Sequence, residues 1–156
     1  MNPKVINRRL NSEIKQVIDN YDEITFISLE KENIQLMFKR KNNRYVFSIP
    51  ANYPFVPPKL TINDINQQSF FNLGSMRFVK MLKYISGIDC LCCDSYLCHN
   101  NWTMSTNLNQ VIEQIEKYKT LKYLIFVKIL LEKIKEKYLH KYIDLESWLF
   151  CRDNSR

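Results

Sequence analysis

Apolar and polar positions alternate along several short runs in the first part of the chain, and a helical pattern precedes these runs. Within residues 3–20 the apolar side chains recur at near-helical spacing, and Pro3 suits a first helical turn. The later runs are rich in β-branched and aromatic residues, which favour strands. We therefore predict an N-terminal amphipathic helix and then a four-stranded antiparallel meander with one buried face. The predicted strands are residues 24–30, 34–39, 45–49 and 59–62.

The pattern changes to helical after the fourth strand. Residues 63–68 indicate a loop, and a short helix follows that ends at Gly87. Good N-cap residues at 103–106 predict a helix to about Tyr118, and a longer one spans about 120–140. A short helix near residues 144–151 completes an α+β layer fold. We predict one domain over residues 1–156, with a core at about 3–118 and C-terminal helices at about 119–152.

Composition narrows the function classes. The 156 residues are 46% hydrophobic and 13% aromatic, which argues against extensive disorder. Gly74 and Gly87 are the only glycines, so a phosphate-cradling loop is not expected. The start of the chain lacks an apolar signal core, and no apolar run is long enough for a membrane span. We expect a monomer in the cytoplasm or nucleus, where thiols stay reduced.

The net charge of +7 permits nucleic-acid contact or an acidic protein partner. The basic residues are interspersed with acids, as in residues 132–137, which is typical of a solvated helix face. Aromatic and charged residues are not interleaved on any one strand face, so nucleic-acid binding is not expected.

Four of the five cysteines lie within residues 90–98, close to His99 and Trp102. Packing alone does not require such crowding, so either a thiolate is reactive or several thiolates bind a metal. Cys90, Cys93, Cys98 and His99 supply soft ligands at knuckle-like spacing, enough for one tetrahedral zinc. However, the adjacent Cys98 and His99 cannot easily both ligate one ion, and a second paired knuckle is absent. Both interpretations stay open at this point.

Four of the five prolines lie within residues 50–58. Because proline restricts φ and lacks an N–H donor, this segment is predicted to be a rigid, extended loop at the sheet edge. Tyr53 and Phe55 are held on it with little conformational freedom. They can form a recognition surface or seal the core.

Three motifs together resemble the ubiquitin-conjugating enzyme family. Tyr53-Pro54-Phe55-Val56-Pro57-Pro58 matches that family's proline loop in full. Gly87-Ile88-Asp89-Cys90-Leu91 resembles its active-site segment, and Trp102-Thr103-Met104 resembles its tryptophan turn. The likeness covers about residues 3–118, and it implies the family's fold, with the cysteine in a loop without regular structure.

The chain also departs from the family pattern. The His-Pro-Asn tripeptide has no counterpart ahead of Cys90, the stretch between residues 58 and 90 is longer than usual, and Met104 replaces a proline. Counting back from the tryptophan favours Cys93 as the nucleophile, whereas the Gly-x-x-Cys-Leu context favours Cys90, which we take first. Asn100, or its neighbour Asn101, is the candidate for the missing amide donor.

The resemblance implies acyl transfer through a cysteine thioester, with no cofactor. The thiolate attacks the activated carboxyl of ubiquitin or a relative, and a lysine amine resolves the thioester. Asp94 can orient that amine or act as a loop cap. Basic neighbours (Lys80, Lys83 and His99) are expected to lower the thiol pKa.

The implied partners are the modifier, its activating enzyme and a ubiquitin ligase. The residues expected to contact the two enzymes are Arg8, Arg9, Phe55, Thr103, Met104 and Ser105. Both arginines are expected to be largely exposed beside the apolar stripe of the first helix. The alternative is a catalytically inactive interaction module that keeps the fold, with or without a structural zinc in the cysteine loop.

Overall fold

The computed structural model describes residues 3–17, 23–30, 33–40 and 42–138. An N-terminal helix precedes an antiparallel sheet, and further helices follow, so the predicted α+β class is confirmed. The helices are α1 (Pro3–Val17), α2 (Gln67–Phe71), α3 (Met76–Ser86), α4 (Leu91–Asp94) and α5 (Leu108–Tyr138). The strands are β1 (Glu23–Glu30), β2 (Asn33–Arg40), β3 (Asn43–Pro50), β4 (Lys59–Ile62) and β5 (Ile65–Asn66).

The sheet is a meander in which every strand pairs with the next one along the chain. Leu36 of β2 lies opposite Phe47 of β3, and Phe38 lies opposite Tyr45. All four side chains are buried, as the alternation predicted for a sheet with one face in the core. The four predicted strands are therefore confirmed, with bounds that differ by at most two residues.

The prediction of a loop at residues 63–68 is correct for 63–64 only, because residues 65–66 form a fifth strand and 67–68 begin α2. Asn63 and Asp64 have φ of 47° and 67°, and they form a tight turn that pairs Ile62 with Ile65. Asparagine and aspartate tolerate this left-handed region better than other non-glycine residues. The side chain of Asn66 then accepts a hydrogen bond from the backbone N–H of Ser69 and caps α2.

The two helices predicted on either side of residue 119 are one continuous helix, α5. The hydroxyl of Thr120 donates to the carbonyl of Glu116 over 3.2 Å, so this threonine bonds back into the helix instead of starting a new one. The predicted helix near 144–151, and the last residues predicted for helices at 18–20 and 139–140, lie outside the described residues.

One core joins the sheet to the helices. Leu10 of α1, Leu82 of α3 and Ile112 of α5 belong to the same buried cluster as the inward face of the sheet. Since α5 contributes buried residues both before and after Tyr118, the predicted boundary at 118/119 does not separate two parts of the core. Among the described residues, no helix combines the length and apolarity that crossing a membrane requires.

Candidate functional site: the cysteine loop

The segment that carries the cysteines begins where α3 ends. Gly87 has φ of 74°, and its N–H donates to the carbonyl of Lys83, which is the usual left-handed end of a helix. Three residues later Cys90 stands at the N-cap of α4, a single helical turn. The expectation of a loop without regular structure is therefore wrong over residues 91–94. Leu91 is buried and anchors this turn to the core.

The thiols of Cys90, Cys92 and Cys93 converge, with all three sulfurs within 4.8 Å of one another. The sulfurs of Cys92 and Cys93 are 3.8 Å apart. Cys90 is half-buried, whereas the other two are exposed. Over the described ranges, neither Cys98 nor His99 belongs to such a group, so the zinc set predicted from knuckle-like spacing does not assemble. Cys92 takes part instead because the helical turn brings its sulfur beside its neighbours.

The three thiols affect each other's ionisation. No side-chain capping bond of the usual geometry forms at Cys90. Even so, the Cys92 thiol, and then the backbone N–H of Cys93, hold the pKa of Cys90 below its ordinary value. Hydrogen bonding to Cys90, with burial second, raises the pKa of Cys92 to about 12, and Cys90 likewise raises the pKa of Cys93. Of the three, Cys90 is the thiol that is stabilised as a thiolate.

The lysines were expected to lower the pKa of Cys90, but they are not among the causes of its lowered pKa. Lys83 forms an ion pair with Asp89, with 2.6 Å between Nζ and Oδ1, and this pairing raises the pKa of Lys83. Its charge is therefore shared with a carboxylate next to the cysteine turn. The causes of the lowered pKa of Cys90 lie within the turn itself.

Two amide side chains hold the cysteine turn in place. Nδ2 of Asn101 donates to the carbonyl of Cys93 over 2.5 Å and to that of Ser95 over 3.2 Å. Oε1 of Gln114, a residue of α5, accepts a hydrogen bond from the backbone N–H of Tyr96 over 2.8 Å. The Asn101 amide is thus bonded to the backbone, which leaves Asn100, an exposed residue, as the candidate oxyanion donor.

The carboxylate of Asp94 is bonded to a side chain of α5. Its Oδ2 accepts a hydrogen bond from the Tyr118 hydroxyl over 2.7 Å. Burial, and then this carboxylate, raise the pKa of Tyr118. Asp94, Tyr96 and Lys117 are among the residues that line a cavity of about 380 Å³. The contact with Tyr118 was not foreseen from sequence, because α5 places the tyrosine there from 24 positions away.

A second concavity, of about 410 Å³, shares no lining residue with the first, and Cys90 and Cys92 are part of its wall. We call it the Cys90 groove. Its apolar wall includes Phe71, Leu73 and Val79 from the α2–α3 region, while Cys93 does not line it. The sequence interpretation missed this groove, since most of its wall comes from residues 67–79, well before the cysteines. The lining residues are Gln67, Gln68, Phe71, Asn72, Leu73, Val79, Asp89, Cys90, Leu91 and Cys92.

The two aromatic residues of the proline loop have different environments. Tyr53 is fully buried, so it seals the core, whereas Phe55 is 58% exposed and does not. The indole Nε1 of Trp102 donates to the carbonyl of Pro54 over 2.7 Å and joins this loop to the tryptophan turn. In that turn Thr103, Met104 and Ser105 are all exposed.

The prediction that both arginines of α1 are largely exposed is correct for Arg8 only. The side chain of Arg9 is 32% exposed, and its Nε pairs with the buried carboxylate of Glu13. Its guanidinium also donates to the carbonyl of Thr106 over 3.3 Å. A buried carboxylate needs a charged or hydrogen-bonding partner, and Arg9 turns inward to provide one.

No protein-family model, curated protein or solved structure matches this chain. Its function is therefore inferred from the residues of the cysteine loop and from the surfaces around it.

Proposed function

We propose that this chain is a ubiquitin-conjugating-like transferase that carries ubiquitin, or a related modifier, as a thioester on Cys90. The observation that carries the proposal is the position of Cys90 in the wall of the Cys90 groove. A nucleophile beside a groove can attack the end of an extended peptide that lies in it. Cys93 does not line the groove, which favours Cys90.

The reaction would occur in two acyl transfers. The Cys90 thiolate attacks the thioester carbonyl of the modifier on the activating enzyme; a new S–C bond forms and the enzyme's own thiolate leaves. A lysine amine then attacks the Cys90 thioester, forms an amide, and releases the Cys90 thiolate. The amine loses its proton to solvent or to a nearby carboxylate. Asp94 is the carboxylate we propose, with its orientation set by Tyr118. The exposed Asn100 amide is the proposed donor to the oxyanion.

The partner surfaces would be formed by exposed residues of three segments. Phe55 offers an aromatic ring on a proline-rich loop, and such rings are common anchors of protein interfaces. Thr103, Met104 and Ser105 offer a second surface, and Arg8 a third. Arg9 would contribute mainly by supporting the fold, since its guanidinium contacts Glu13 and Thr106. We also propose that the protein is a monomer and acts in the cytoplasm or nucleus.

The second candidate is a catalytically inactive interaction module whose cysteine turn binds a metal. The convergence of three sulfurs within 4.8 Å favours it, because acyl transfer requires one thiol. The absence of a His-Pro-Asn tripeptide ahead of Cys90 is consistent with it.

A thioester assay separates these two candidates. The reduced protein is mixed with activating enzyme, ubiquitin, ATP and Mg²⁺, in the presence of a zinc-selective chelator, and resolved on reducing and non-reducing gels. We expect an adduct that thiols remove, that Cys90→Ala abolishes, and that Cys98→Ser leaves unchanged. Loss of the adduct in Cys93→Ser with retention in Cys90→Ala would move the nucleophile to Cys93. A folded protein that forms no adduct with ubiquitin or with related modifiers would reject the enzyme in favour of the second candidate.

A further inference from the structure

We propose that Cys90, Cys92 and Cys93 form an open zinc site in which three thiolates bind the ion and a water molecule takes the fourth position. The group consists of three sulfurs within 4.8 Å of one another on a single turn of chain. This set differs from the one suggested by sequence spacing, since it includes Cys92 and omits Cys98 and His99. It goes beyond acyl transfer, which uses one of the three sulfurs.

The distances between the sulfurs fit a tetrahedral ion. With zinc–sulfur bonds of about 2.3 Å and tetrahedral angles, two ligand sulfurs lie about 3.8 Å apart. The sulfurs of Cys92 and Cys93 are 3.8 Å apart without any ion. The remaining pairs lie within 4.8 Å, a separation that side-chain rotation can shorten. Three soft thiolates select zinc over hard cations such as magnesium or calcium.

The backbone that carries the ligands is held in place independently of a metal. The N–H of Asp94 donates to the carbonyl of Cys90 over 3.1 Å and closes the turn. Leu91 is buried inside it, and Asn101 bonds to the carbonyl of Cys93. Because these contacts keep the ligands together before the ion binds, little conformational entropy is lost on binding.

The site is open because Cys92 and Cys93 are exposed and because no fourth protein ligand joins the group over the described ranges. Three protein ligands and a water are typical of reactive zinc sites, whereas structural sites use four protein ligands. Each thiol that binds as a thiolate releases its proton to the buffer, so affinity rises with pH. We therefore expect an exchangeable ion and a fold that persists when a chelator removes it.

One consequence rests on the proposed function. Zinc bound to the Cys90 sulfur withdraws electron density from it and makes it a weaker nucleophile toward a thioester carbonyl. Zinc binding should therefore slow thioester formation, and a zinc-selective chelator should speed it up.

Zinc binding is tested on the reduced full chain with Zn²⁺ alone, in competition with a chromophoric chelator. We expect one ion per chain, and Co²⁺ substituted for it should show sulfur-to-metal charge-transfer absorption. The decisive variants are Cys92→Ser and Cys93→Ser, each of which should weaken binding by more than about tenfold. Cys98→Ser is the matched control from the same loop and should bind as tightly as the unaltered chain. Circular dichroism of each variant separates ligand loss from unfolding.

Two results would overturn the zinc site. One is equal zinc affinity in the unaltered chain and in folded Cys92→Ser. The other is a loss in Cys98→Ser as large as that in Cys92→Ser, which would mean a closed four-cysteine site. These results are independent of the proposed enzyme, because the binding assay contains no ubiquitin. Tight zinc binding without any thioester would reject the enzyme alone, and thioester formation without zinc binding would reject the zinc site alone.

Discussion

The indole Nε1 of Trp102 donates a hydrogen bond to the carbonyl oxygen of Pro54, with 2.7 Å between the two atoms. Its ring also packs against Tyr53, with 5.9 Å between ring centroids. These contacts join the proline loop to the turn that follows the cysteines, 48 positions later. Phe55 follows Pro54, Met104 lies two positions after Trp102, and both side chains are exposed. The hydrogen bond therefore connects the two segments that carry them.

Replacing Trp102 with phenylalanine should weaken that connection. The variant keeps an aromatic ring but removes the N–H donor, and the expected loss is about 1–3 kcal/mol in the free energy of unfolding. Urea denaturation measures it. Met104→Leu is the matched control in the same turn, because Met104 is 57% exposed and should change stability by less than about 0.5 kcal/mol. Equal stabilities for Trp102→Phe and the unaltered chain would show that the bond contributes nothing.

The buried side chain of Glu13 connects α1 to the proline loop and to α5, and we expect these contacts to stabilise the fold. Its carboxylate is buried and accepts hydrogen bonds from the Tyr53 hydroxyl over 2.6 Å and the Leu108 N–H over 3.0 Å, besides pairing with Arg9. Glu13→Gln replaces one acceptor oxygen with a donor, so we expect a loss of about 1–3 kcal/mol. The exposed Glu23→Gln is the control in urea denaturation and should change stability by about 0.5 kcal/mol or less.

The same contact predicts how stability depends on alkaline pH. Burial, and then the Glu13 carboxylate, raise the pKa of Tyr53. Above about pH 10 an unfolded tyrosine loses its proton while Tyr53 in the folded chain keeps it. The folded state then binds more protons, so the free energy of unfolding falls as pH rises. Tyr53→Phe should flatten this fall, whereas Tyr84→Phe, at an 80% exposed position, should not. Parallel curves for Tyr53→Phe and the unaltered chain would contradict the prediction.

Thiol alkylation should distinguish the neighbouring cysteines once a chelator has removed metal. The pKa of Cys90 is lowered while that of Cys92 is raised to about 12, so at pH 7 the Cys92 thiol stays protonated. Because the thiolate is the nucleophile, iodoacetamide should modify Cys90 first, although Cys92 is more exposed. Peptide mass spectrometry at short times measures the order.

The removal of Cys90 provides a second test of the interaction between the Cys90 and Cys92 thiols. Hydrogen bonding to Cys90 is the main cause of the high pKa of Cys92, so Cys90→Ala should make Cys92 react faster. Unchanged or slower alkylation of Cys92 in that variant would show that the two thiols are not coupled.

Two adjacent asparagines are expected to behave differently. Asn101→Ala removes the bonds to the carbonyls of Cys93 and Ser95 and should lower the free energy of unfolding by about 1 kcal/mol. Asn100→Ala, at an exposed position, should leave stability within about 0.5 kcal/mol. If Asn100 is the oxyanion donor, its loss slows transfer from the thioester to lysine at unchanged stability. Chemical denaturation and single-turnover transfer measure the two effects separately.

Local patterns in the sequence determined most of the secondary structure. Alternation predicted β1 to β4, and the helical spacing predicted α1 and α3, because each pattern reflects which side chains face the core within one element. The crowding of thiols also identified residues 90–98 as the place to look for chemistry. The misassigned elements were those in which short-range signals conflict. Asn63 and Asp64 indicate a loop, yet they form the turn of a hairpin.

Only the tertiary structure decided how distant segments meet. The sequence could not place Glu13 against Tyr53 and Leu108, or Tyr118 against Asp94, because those contacts depend on how α1 and α5 pack. It also could not show which cysteine sulfurs lie together. One helical turn brings the Cys92 sulfur to Cys90 and Cys93, and the α2–α3 region forms the wall that Cys90 lines and Cys93 does not. The spacing of apolar residues indicates which face of a helix or strand is buried. Which other element covers that face depends on the packing of the whole chain.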